Sequence, residues 1–237
     1  MKIRGHRECK ECGTRWTYYE TASVECPDCG SLRSVGIDDR TRHTDTPAEF
    51  DLTPVRGIID EQPIRRVAED AAELAAEYVR KRGFVDAGDL LVLDETYVAA
   101  TELHHVASEI ARELHALDAE ERYFLDLLGG ADEGERPAVD EVPDTLRSPY
   151  GLAMVSAVGD YQRDLREYLD DRPDEQATSL SGRIRDHRKR IEALDGDVSQ
   201  KDADRLVRAT RDLGKYLSSG DESALVTADN WLNGIEG

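Results

Sequence analysis

The sequence predicts a mainly α fold, a small β module at the N-terminus followed by an all-α helical bundle, and three observations carry that expectation. All four cysteines lie between residues 9 and 29, as two Cys-x-x-Cys pairs. From Pro63 onward, apolar residues recur at three-four spacing in one segment after another, the period of a helix with one buried face. Between these regions Pro47, Pro54 and Pro63 punctuate a stretch with no such period. The expected organisation is therefore a metal module over 1–36, a linker over 37–62 and a bundle over 63–237.

The module comes first. Cys9-Lys10-Glu11-Cys12-Gly13 and Cys26-Pro27-Asp28-Cys29-Gly30 each present two thiolates from one short turn, and the residues between Cys12 and Cys26 are enough for a hairpin that closes both turns on one ion. Gly13 and Gly30 suit turns that need positive φ just after the second ligand. The donor set Cys9, Cys12, Cys26 and Cys29 points to one structural zinc ion, with iron the less expected metal, in a small β zinc ribbon. Thr14–Tyr19 is β-branched and aromatic and is expected to pair with Ala22–Glu25, with a third strand over Ser31–Val35. Period two places Trp16 and Tyr18 on a face covering the metal and Arg15, Thr17 and Tyr19 on the other.

These knuckles, Cys9-x-x-Cys12-Gly13 and Cys26-Pro27-x-Cys29-Gly30, resemble the zinc ribbon of the transcription factor IIB type. The wider chain resembles uncharacterised haloarchaeal proteins that carry such a ribbon before a helical region. The resemblance implies structural zinc on the four cysteines and, since the factor's ribbon docks on RNA polymerase, a protein partner linked to transcription. The cyclin-like repeats that follow the ribbon in that factor have no counterpart, because the downstream sequence shows no internal duplication.

In the linker, His43 is expected to be solvated rather than a fifth ligand, since four thiolates already close a structural site. Pro63 then opens a helix whose apolar residues Ile64, Val67, Ala71, Leu74 and Tyr78 share one face as far as Gly83. After an irregular connector to Leu93, Asp94 caps a long helix with Ala99, Leu103, Val106, Ile110, Leu114 and Leu117 on its stripe. Asp118 begins a shorter helix in capping-box form, which Gly129-Gly130 ends. Four more helices are expected over about Pro149–Asp171, Leu180–Leu194, from a Ser199 cap to Leu217, and Asp221–Leu232.

Composition narrows the setting. The formal charge is −20, from 51 acidic and 31 basic side chains. Only six of the basic residues are lysines, a pattern that resembles a haloarchaeal cytoplasmic protein, whose surface carboxylates are screened by concentrated salt. Residues 1–36 carry six basic and five acidic side chains, so nearly all of the negative charge belongs to the body. No leader-like apolar stretch and no run of 18 apolar residues occurs, so a membrane partner is not expected.

Candidates for chemistry are few. Glu102-x-x-His105 matches half of a ferritin-like di-iron site, and a bundle joined to a tetrathiolate iron module would be rubredoxin- or rubrerythrin-like. A second Glu-x-x-His is missing, and Glu102 and His105 fall opposite Leu103 and Val106, on the expected solvent face. No phosphate loop, nucleophile elbow or His-Glu-x-x-His appears, so an enzyme is not the expected reading. Arg183, Arg185, Arg188, Lys189 and Arg190 form a basic stretch that suits a nucleic-acid backbone or an acidic partner, although the acidic field around it opposes nucleic acid and pairing with nearby acids is expected. The functional expectation is a non-enzymatic interaction protein whose ribbon contacts a larger partner through Arg15 and Tyr19. Iron-based redox chemistry and nucleic-acid binding are the competing classes.

Overall fold

A computed structural model describes residues 1–112 and 117–235 of the chain. It is mainly α, with small sheets near the N-terminus. The ribbon is a three-stranded antiparallel sheet in which β2 (His6–Cys9) lies between β3 (Arg15–Thr17) and β4 (Ser34–Gly36). The central strand therefore precedes the first knuckle, and the expected pairing of Thr14–Tyr19 with Ala22–Glu25 does not form. Thr17 is the reason. Its hydroxyl accepts from the Tyr19 amide at 3.2 Å, turning the chain into a single helical turn, α1 (Tyr18–Thr21), where a strand would have continued. Tyr18 thus leaves the strand, and Trp16 covers its face without it.

The stretch read as a linker is bound along its length to the ribbon on one side and the bundle on the other. β1 (Lys2–Ile3) pairs antiparallel with β5 (Thr41–Arg42). The Thr44 amide donates to Val85 O at 2.9 Å and its hydroxyl to the buried Asp164 at 2.6 Å. Asp45 accepts from the Gly83 amide at 3.0 Å and from Arg82 at 2.8 Å. Phe50 stacks on Tyr78 at 4.8 Å, Leu52 is fully buried, and α2 (Thr53–Arg56) ends on a two-pronged Arg56–Asp132 pair with both N–O distances 2.7 Å. His43 is buried, contrary to its expected solvation, beneath the Tyr19 ring 4.8 Å away.

The body is a set of antiparallel-type helix pairs around one core. α3 (Ile64–Lys81) begins behind Pro63 and buries Val67, Ala68, Ala71, Ala75 and Tyr78. These small residues let it lie closely against α4 (Glu95–Arg112), which starts where Asp94 accepts from the Tyr97 amide at 2.7 Å. The connector between them contains a hairpin of β6 (Val85–Asp86) and β7 (Asp89–Leu90). α4 packs on α6 (Arg147–Asp171), which also meets α7 (Glu175–Ala193) and α8 (Gln200–Ser219), while α9 (Glu222–Asn233) lies on α8. α5 (Asp118–Gly130) has its first turn closed by Glu120, which accepts from the Leu117 amide at 2.8 Å. Leu117 is accordingly an exposed cap residue of α5, outside the α4 stripe to which it was assigned; Leu114 of that stripe lies outside the described residues. Ser199 sits at the α8 cap position, but its side chain makes no capping bond.

Candidate metal centre

The sulfurs of Cys9, Cys12, Cys26 and Cys29 all lie within 4.8 Å of one another. Cys9 to Cys29 and Cys12 to Cys26 are each 3.6 Å, far too long for a disulfide. A tetrahedron with metal–sulfur bonds of about 2.3 Å has edges of about 3.8 Å, so the spacing fits one ion among four thiolates.

The two knuckles reach this geometry by the same local path. Cys9 N donates to Thr14 O at 2.9 Å and Gly13 N to Cys9 O at 3.1 Å; Cys26 N donates to Ser31 O at 3.0 Å and Gly30 N to Cys26 O at 2.9 Å. Gly13 and Gly30 take φ of 77° and 70°, where a side chain would be strained. The first cysteine of each pair is buried and the second exposed. The Thr14 side chain and amide draw the Cys12 thiol down to about 6. The Ser31 amide pulls Cys29 the same way, yet the neighbouring sulfurs, Cys12 foremost, and burial push it up to about 12. A thiol raised as Cys29 is keeps its proton until a cation displaces it, so binding of an ion by these sulfurs would release a proton.

Across the sheet, Arg15, Glu8 and Val35 stand opposite one another on the face away from the knuckles, with Arg15 paired to Glu8 at 2.8 Å. Trp16, Arg7 and Gly36 form the row on the other face, and the Trp16 indole donates to Ser23 O at 3.1 Å. Arg15 is thus on the open side as expected. Tyr19 is not. Its hydroxyl lies 2.5 Å from that of Thr41, and a Cβ on Gly5 would come within 2.0 Å of its ring, so Tyr19 is packed into the junction between ribbon and body.

The basic stretch on α7 is largely engaged by its own fold. Arg183 pairs with Asp229 and donates to Asn233 at 2.8 Å; Arg188 pairs with Glu192 and donates to Gln162 at 3.2 Å; Arg185 lies 3.5 Å from Asp186. Arg190 is half-buried and Lys189 exposed.

Glu102 and His105 correct a second expectation. Glu102 is fully buried, where Tyr123 donates to one carboxylate oxygen and Arg136 to the other at 2.8 Å. Burial pushes its carboxyl above the usual range while Arg136 and Tyr123 pull it back. Among the described residues the four cysteines are the one group placed to share an ion, and Glu102 and His105 do not join such a group. His105 Nε2 instead sits 3.2 Å from Ser156 Oγ, and burial drives its imidazole down to about 4. Because the folded value lies below the ordinary 6.5, the stabilisation from neutral His105 is complete above about pH 6.5 and is lost as pH falls towards 4, by about 3 kcal/mol in all. The acid limb of a stability–pH profile should therefore be shallower in His105→Asn than in the wild type, and superimposable limbs would remove this role.

Sequence reasoning missed the Glu102–Arg136–Tyr123 cluster and the His43–Tyr19 junction, since each joins residues far apart in the chain. A family described as a family of unknown function, DUF7117, matches residues 1–232. No curated protein and no solved structure matches the chain.

Proposed function

The chain belongs to DUF7117, and from that premise we propose that it is a zinc-binding, non-enzymatic interaction protein whose ribbon contacts a macromolecular partner. The observation that supports this reading is the donor set: four cysteine sulfurs within 4.8 Å of one another are enough to fill the tetrahedral coordination of one zinc ion, which would leave that ion no open position for substrate. Zinc in such a site holds a surface in shape. Residues 1–36 are the part that needs the metal, 63–237 the part that does not, and 37–62 the segment that ties them.

The surface so held has the composition of a contact face. Eight large apolar residues are exposed among the described residues, and Val24, Leu32, Val35 and Ile37 are four of them. Leu32 is 71 % exposed, and Val35 stands beside Glu8 and Arg15 on the open side of the sheet. Apolar side chains beside a guanidinium suit short-range docking where salt screens steering. A partner in the transcription apparatus follows from the resemblance of the knuckles. A haloarchaeal cytoplasm follows from the charge of −20, and no described helix is long and apolar enough to cross a membrane.

Leu32→Asp with Val35→Asp should abolish partner capture from a high-salt lysate while one equivalent of zinc stays bound, and Arg15→Ala should weaken it. Capture undiminished in the double variant would place the contact elsewhere. A red protein with tetrathiolate iron would instead point to redox work. The body should also lose stability as potassium chloride falls from about 1 M to 0.1 M, because the screening length grows from about 3 to 10 Å. A flat melting temperature across that range would remove the halophilic setting.

A further inference from the structure

A cleft of about 580 Å³ opens between the start of α4, the 134–140 loop, α8 and α9, remote in sequence from the cysteines. Its wall contains an arginine that the fold has gone to some trouble to fix. Arg136 is 13 % exposed, and one nitrogen donates to the fully buried Glu102 at 2.8 Å. Its other terminal nitrogen lies 3.8 Å from both Glu95 and Asp204, beyond hydrogen-bond reach of either. The hydroxyl of buried Tyr150 lies beside this pair, feels the charges of Glu102 and Arg136, and makes no well-formed hydrogen bond among the described residues. Burying an ion pair costs several kcal/mol of desolvation per ion, and apolar side chains would fill the same space more cheaply. A guanidinium hydrogen-bonded to a carboxylate on one nitrogen, with its other terminal nitrogen held only by longer-range ion pairs to Glu95 and Asp204, keeps donor capacity for an oxyanion.

The rest of the cleft agrees in charge and shape. α8 places Lys201, Arg205 and Arg208 along the cleft at helical spacing. Two of the three carboxylates present are already neutralised, Asp204 by Arg208 at 2.5 Å and Glu95 by Arg211. Lys201, exposed at the rim, has no ion-pair partner among the described residues. Four cationic side chains against three carboxylates thus line one opening in a chain of charge −20, with Arg208 held by Asp204 and Arg205 by Asp202 at 2.9 Å. The volume exceeds that of a bare ion, and the indole of Trp231 with Pro137 and Val139 supplies apolar wall for an organic group.

We propose that this cleft binds a small phosphate ester, the phosphate on the other terminal nitrogen of Arg136 and on Lys201, the organic part against Trp231. Titration calorimetry of the full-length metal-loaded protein in about 1 M KCl, where the acidic body is screened, is the test. AMP should bind at one site, inorganic phosphate about tenfold more weakly, and adenosine weakest of the three. Lys201→Ala, at an exposed position, should weaken AMP about tenfold with an unchanged melting temperature, and Arg136→Lys, which keeps the charge but loses the fork, should weaken it further. Failure of both AMP and phosphate to bind the wild type overturns the proposal. So does adenosine binding as tightly as AMP, or AMP affinity unchanged in Lys201→Ala.

Discussion

Removing the metal should disorder residues 1–36 while the helices persist. Within residues 1–36 only Gly5, Cys9 and Cys26 are buried, and the apolar core begins at Leu52, so without an ion the knuckles are held together by little more than polar contacts such as Thr14 to Asp28 at 3.3 Å. Zinc held by four thiolates contributes about 10–16 kcal/mol to the folding of so small a unit. The two tryptophans report on the two parts separately: Trp16 donates within the ribbon to Ser23, and Trp231 within the body to Asp212 at 3.0 Å. On chelation, fluorescence of Trp231→Phe, which retains Trp16, should shift strongly and that of Trp16→Phe little. Far-ultraviolet circular dichroism should keep most of its helical signal. Some cost to the body is expected as well, because the Tyr19–Thr41 contact and the cover over His43 go with the ribbon. Loss of most helical signal would show one cooperative unit.

Glu102→Ala should cost about 3–5 kcal/mol, more than other single changes to the charged groups of the body, because it strands Arg136 without its counter-charge and leaves the Tyr123 hydroxyl without its acceptor. Thermal or denaturant unfolding at constant salt measures it. Replacing both partners, Glu102→Leu with Arg136→Met, should recover most of the loss, since the pair's attraction does little more than offset its desolvation. Such a double variant should be stable and yet fail to bind AMP, separating a structural role for Arg136 from a binding one. A loss below about 1 kcal/mol for Glu102→Ala would mean that the cluster is solvated.

The parts legible in the sequence are those whose causes are local. Cys-x-x-Cys-Gly is a complete instruction for a knuckle, because its hydrogen bonds span at most five residues. The long helices are readable from periodicity, and the Asp94 cap from the rule that a short polar side chain caps the turn it precedes. What escaped is held by distant partners. Thr44 and Asp45 look like linker residues until Asp164, Gly83 and Arg82 are brought to them. Glu102 counts as a surface residue on any helical wheel, and only Arg136 and Tyr123, from other elements, make its burial tolerable. In the ribbon the error was a near-tie: aromatic and β-branched residues favour a strand through Tyr19, but the Thr17 hydroxyl offers the next amides a competing partner.

The pairing of β1 with β5 sets Lys2 opposite Arg42 and Ile3 opposite Thr41, and the same two segments are moored to the end of α6, where Arg42 engages Glu167 and Asp171 and Lys2 reaches Asp171 at 2.9 Å. Residues 4–40 are thus joined to the helical body through one two-stranded doorway, with Tyr18 and Tyr19 touching it at His43. Topologically that makes the ribbon a cassette. Strands so paired can be joined by a two-residue turn, so a chain in which Asn-Gly replaces residues 4–40 retains the mooring and loses the cassette. The doorway would equally accept another module whose ends lie about 5 Å apart, a route by which one helical body can acquire, exchange or shed its N-terminal module with only the small patch around Thr41 and His43 to be covered anew.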